Sequence, residues 1–169
     1  MDINQFISDV NSINWHSYCR EDYQPERVPI SLIALARADQ ESKEGIYQRA
    51  GTEVDLLLNA KIKSDVMFAV GNDHRGTYYP VARRALPFVI QIALYGFHVV
   101  ARNCAINILI DLFYFCSDCD SDDMLNKFVK DEIKSTIIAN RENFKKFAAD
   151  DKRNGSLIES LMGIADDSH

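Results

Sequence analysis

A chain of 169 residues with 47% apolar side chains, seven glycines and four prolines has the makings of one domain with a sizeable core and long uninterrupted elements. The formal charge of −6, with basic residues clustered no more densely than Arg83-Arg84 and Lys145-Lys146, excludes a general nucleic-acid binder, which needs a basic stripe to neutralise phosphates, and favours a basic partner. Arg83, Arg84, Arg102 and Asp111 interrupt the most apolar stretch, and no segment has the uninterrupted length a membrane span requires. Four cysteines, at positions 19, 104, 116 and 119, are too few for a disulfide scaffold and read as reduced thiols. The opening Met1-Asp2-Ile3-Asn4-Gln5 carries no basic stretch ahead of an apolar run, so the expected location is cytoplasmic.

In chain order, Ile3, Phe6, Ile7, Val10 and Ile13 recur at helical spacing and predict a short amphipathic helix over 2–14. Residues 15–25 have no clean period. They form an aromatic and polar connector whose Trp15, Tyr18 and Tyr23 can lay apolar rings on the helical body while their polar ends find partners. Pro29 suits a first helical turn, and Ile30, Leu32, Ile33, Leu35 and Ala36 continue it. Asp39 begins another, mostly polar helix with Ile46, Tyr47 and Ala50 facing inward, which Gly51 ends or bends, and Thr52 caps the next helix. That helix, 53–70, carries Val54, Leu57, Leu58, Ile62, Val66 and Ala69 on a broad apolar face.

Gly71-Asn72-Asp73-His74-Arg75-Gly76-Thr77-Tyr78-Tyr79-Pro80 then breaks the pattern, a polar loop between two apolar helices. After it come Val81, Ala82, Ala85, Leu86, Phe88, Val89, Ile92 and Ala93, with Pro87 inside the run. A proline there removes a backbone donor and clashes with the preceding turn, which predicts a kink or a helix start near Leu86. Gly96 ends this helix, and the run from Val99 through Phe115 is apolar nearly all round, the mark of a central helix. A second acidic break, Ser117 to Asp123, precedes a helix from Met124 that extends through Ile137 and Ile138 toward Phe144 and Phe147. Asn154-Gly155-Ser156 opens a last helix to Ile164, and 166–169 is a frayed tail. No β-branched alternation is present. The expectation is a single all-α domain over 1–169, built as an α-solenoid of stacked helix pairs.

The stretch Val99-Val100-Ala101-Arg102-Asn103-Cys104-Ala105-Ile106-Asn107-Ile108-Leu109-Ile110 spaces its Val, Arg, Ala and Leu residues in a way that resembles the inner helix of a HEAT repeat. Together with the loop 71–80, Ala85-Leu86-Pro87-Phe88 and Leu109-Ile110-Asp111-Leu112, it resembles a set of bacterial HEAT-like proteins. Some of these sit beside polymorphic toxins and are similar to immunity proteins of contact-dependent growth inhibition systems. The resemblance covers about residues 30–115 and not the helices at about 121–165. It implies a HEAT-like fold and a cognate protein toxin as partner, and it carries no catalytic residues.

The chemistry legible in the residues themselves is sparse. Asp73 and His74, with Thr77, Tyr78 and Tyr79 nearby, supply a base, an orienting carboxylate and hydroxyls, but sequence neighbours rarely meet the geometry of a triad and no nucleophile elbow is present. An architectural corner, with glycines at special angles and tyrosines wedging two helices, explains the loop better. Cys116 and Cys119 have zinc-knuckle spacing without a second pair. Asp118, Asp120 and Asp122 alternate as in a calcium loop, but Asp123 stands where a glycine is needed and Val129 where the closing glutamate belongs. Asp111, flanked by Leu109, Ile110, Leu112 and Phe113, needs a partner if buried, and Arg83, Arg84 and Arg102 are the candidates. No enzyme, metal or cofactor is expected.

The functional expectation is therefore an immunity protein that covers the active or substrate-binding site of a basic toxin, with a nuclease as a natural candidate, and that contacts neither nucleic acid nor membrane directly. Acidic inhibitors gain association rate against basic enzymes. The expected contacts are Asp118, Asp120, Asp122 and Asp123, and secondarily Asp73, His74, Arg75 and Tyr78. The competing expectation is a HEAT-like scaffold without a toxin partner.

Overall fold

The computed structural model describes residues 1–18, 24–38, 53–72, 77–117, 124–151 and 154–166. Among these the elements are α1 (Ile3–Asn11), a 3₁₀ turn (Trp15–Tyr18), α2 (Arg27–Ala36), α3 (Glu53–Val70), a two-residue ladder of β1 (Gly71–Asn72) and β2 (Thr77–Tyr78), α4 (Val81–Tyr95), α5 (Val99–Ser117), α6 (Met124–Ala139), α7 (Arg141–Asp150) and α8 (Gly155–Asp166). The fold is all-helical apart from that ladder.

Local chemistry accounts for the element ends. Asp2 caps α1, its carboxylate accepting from the backbone N–H groups of Asn4 at 2.8 Å and Gln5 at 3.1 Å. Trp15 turns back onto the body, donating its indole N–H to the Val10 carbonyl at 2.9 Å while its ring lies 6.0 Å from Phe88. Pro87 lies inside α4, not at its start, and on the exposed face, so its missing donor falls on the solvent side of the helix. The helix expected to run on from Met124 toward Phe147 is two. The Asn140 side chain donates to the Thr136 carbonyl at 2.9 Å, and the Asn140 N–H turns to Ile137 at 3.1 Å, so α6 ends at Ala139 and α7 begins at Arg141.

The core is organised on α5. Ala101, Cys104, Ala105, Ile106, Ile108, Leu109, Leu112 and Phe113 are all buried, on more than one side of the helix. Helix α5 packs against α2, α3, α4, α6 and α8, as its all-round apolar character predicts. In a solenoid each repeat meets only its neighbours. Here consecutive helices do pair, α4 with α5 across residues 96–98 and α7 with α8, but the described helices gather about one central element.

Candidate functional site

Most of the residues expected to carry function, Asp118, Asp120, Asp122, Asp123, Asp73, His74 and Arg75, lie outside the described residues. Tyr78, expected at the exposed edge of the loop, is instead in the core. Its ring is 4% exposed and its hydroxyl lies 3.5 Å from the Leu112 carbonyl of α5. The backbone explains the burial. Gly71 pairs with Tyr78 and Asn72 with Thr77 in an antiparallel register, and the Tyr79 N–H donates to Val70 at 3.0 Å. This ladder closes the end of α3 onto the start of α4 and turns the Tyr78 side chain inward.

The partner of Asp111 also differs from expectation. Lys63 of α3 pairs with it, Nζ to Oδ2 at 2.5 Å, in a half-buried position. Each arginine expected to serve is engaged elsewhere: Arg83 with Glu132 at 2.8 Å, Arg84 over the Tyr18 ring at 6.0 Å, and Arg102 with Asp151 at 3.1 Å. Cys104 lies close to the same Lys63. Burial pushes its thiol up to about 12, against the opposing pull of the Lys63 charge and of a hydrogen bond to the Lys63 backbone, so it is protonated and a poor nucleophile at neutral pH.

The most exposed aromatic surface among the described residues is the turn between α4 and α5. Phe97 is 74% exposed and Tyr95 59%, in a chain that buries most of its other large apolar groups. The Phe97 ring meets the His98 ring edge-on at 5.0 Å. The turn is held rigidly. The Gly96 N–H donates to the Ile92 carbonyl at 2.8 Å, Arg102 Nη1 donates to the Gly96 carbonyl at 2.8 Å, and a Cβ on Gly96 would stand 2.4 Å from the Ile92 oxygen, so only glycine fits.

Arg102 ties this turn to the junction of α7 and α8. Its Nε donates to Asp151 Oδ2 at 3.2 Å and its guanidinium covers the Phe147 ring at 5.6 Å. Asp151 accepts from the side-chain amide of Asn154 at 3.0 Å and from its backbone N–H at 3.3 Å. Buried Asn154 in turn accepts from Asn103 at 3.2 Å, and Asn107 donates to the Asn103 carbonyl at 3.0 Å. The aromatic turn is thus fastened by a satisfied polar network, which fixes its position.

Two clefts flank it. One, of about 310 Å³, is lined by Met1, Asp2, Ile3, Ala36, Phe97 and His98. The other, of about 350 Å³, is lined by Leu94, Tyr95, Asn143, Lys146, Phe147 and Asp150. Each is lined by an exposed aromatic and an acidic residue, Phe97 with Asp2 in the first and Tyr95 with Asp150 and Lys146 in the second. No family model, no curated protein and no solved structure is similar to this chain at a significant level.

Tyr95, Phe97 and His98 fall at a helix boundary, where apolar period does not tell an exposed aromatic from a packed one. What marks them in the sequence is a glycine between two aromatics in a short interhelical turn. Among the described residues no group of three His, Cys, Asp or Glu side chains is placed to hold a metal, and no helix is long and apolar enough to cross a membrane.

Proposed function

We propose that this protein is a protein-binding module of the immunity type, which neutralises a cognate basic toxin domain by covering its active or substrate-binding face. The observation that carries the reading is the aromatic turn: Tyr95 and Phe97, exposed yet rigidly held, have the character of interface anchors, since large pre-ordered aromatics contribute binding energy at low entropic cost. Net acidity supports a basic partner. The acids Asp118, Asp120, Asp122 and Asp123 belong to the proposal as the steering surface and Asp73, His74 and Arg75 as secondary contacts, while the aromatic turn supplies the short-range anchor.

The test is titration of the protein against the toxin domain encoded beside its gene. Tyr95→Ala with Phe97→Ala weakens binding by about a hundredfold, chiefly through faster dissociation, with unchanged melting because both side chains are exposed. Neutralising the four acids to Asn slows association and flattens its salt dependence. Unaltered affinity in both variants places the interface elsewhere. A HEAT-like scaffold without a toxin partner is the second reading, favoured by the consecutive helix pairs α4 with α5 and α7 with α8. Absence of any toxin domain near the gene selects it.

A further inference from the structure

Helix α6 is fastened to the body by an unusual mixture of contacts. Val129, Ile133 and Ile137 form a fully buried apolar row. Beside them lies Lys130, 4% exposed, and among the described residues its buried Nζ has no hydrogen-bond partner. An amine taken from water without replacement bonds works against the burial that its neighbours favour. On α4, the buried Nε of Arg83 likewise has no hydrogen-bond partner among the described residues.

Ile138 adds a partly buried apolar contact and the helix also packs on β2, while its contacts through charged side chains are partly wet. Arg83 Nη1 meets Glu132 at 2.8 Å with both side chains partly exposed, the Arg83 guanidinium stands 5.3 Å from the centre of the Phe128 ring, and Lys134 Nζ lies 5.9 Å from the centre of the Phe113 ring of α5. Phe128 itself is 57% exposed. At its C-terminal end α6 stops at Asn140, whose side chain donates to the Thr136 carbonyl while its backbone N–H turns to Ile137. The break between α6 and α7 thus falls at this one residue, the point about which α6 can pivot without α7.

We propose that α6 is a latch, which lifts from α4 and α5 as a unit about Asn140 while the rest of the core stays folded. Opening hydrates Lys130 and recovers the whole cost of burying it, a gain that opening of a helix remote from Lys130 does not bring. Among the described residues it breaks one screened ion pair and two cation–π contacts, and it exposes the row Val129, Ile133 and Ile137 together with the partly buried Ile138. Salt favours opening by weakening the Arg83–Glu132 attraction. The inference is independent of any toxin partner.

Native-state hydrogen exchange of the full chain, read by mass spectrometry, tests it. The α6 amides exchange about tenfold or more faster than those of α5, and Lys130→Met slows α6 by about tenfold while leaving α5 nearly unchanged. In the wild-type protein, added salt speeds exchange in α6 alone. Three results overturn the proposal: α6 and α5 exchanging together at one rate, a Lys130→Met variant that slows every helix equally, or one that fails to fold, since a lysine the fold relies on is not a burden on it. Salt-independent exchange of α6 overturns the electrostatic fastening.

Discussion

At the scale of single residues, neighbours in space decided what neighbours in sequence left open. Asp111 has four apolar residues around it in the chain, yet it is only half-buried, because it stands where α5 faces Lys63 of α3. Arg102 illustrates the opposite case, an arginine in an apolar helix whose charge is consumed in a bridge from the 96–98 turn to Asp151. Cys104 gives a measurable consequence. With its folded pKa raised to about 12 from the ordinary 9.0, the folded state keeps the proton while the unfolded state loses it. The stability that the neutral thiol contributes is complete below pH 9 and drains away as pH rises from 9 toward 12. Chemical denaturation across this window is expected to show the wild-type protein losing about 1.4 kcal/mol per pH unit more than Cys104→Ala, and equal slopes would show the thiol to be accessible.

Among the elements, the α4–α5 turn shows how one small residue sets a surface. Apolar periodicity predicted both helices and the glycine break between them. It did not predict that Phe97 would stand out in solvent, since that depends on where Arg102 holds the Gly96 carbonyl. Gly96→Ala forces a Cβ against the Ile92 oxygen, and is expected to cost about 2 kcal/mol in denaturant unfolding while also displacing Phe97. Stability unchanged within error would mean that the turn relaxes freely and that the aromatic pair is not pre-ordered. The division of the long C-terminal helix into α6 and α7 is of the same kind. Asn140 is unremarkable in a helical period, and its bonds to Thr136 and Ile137 reveal the break.

For the whole molecule, the contacts of α5 with five other helices make the fold depend on one element. Leu109→Ala, fully buried at its middle, is expected to lower stability by about 3 kcal/mol. Trp15, the only tryptophan, sits against Phe88 at the N-terminal side, so its fluorescence reports on a region distant in sequence from most of the helical signal. Fluorescence and far-ultraviolet circular dichroism should shift together in this variant, as one cooperative transition requires. Separate midpoints would indicate the independent units of a solenoid.

The sequence by itself determined the all-helical class, the central place of α5 and most helix positions, because apolar period and local breaks are properties of the chain alone. It also marked a break between the helix ending at Val70 and the one starting at Val81, though not the ladder of Gly71–Asn72 with Thr77–Tyr78. Only the tertiary structure decided which face of the molecule is left bare, which charge pairs with which, and why Tyr78 is buried while Phe97 is not. Those outcomes depend on the distance between elements far apart in the chain, a quantity that periodicity does not encode.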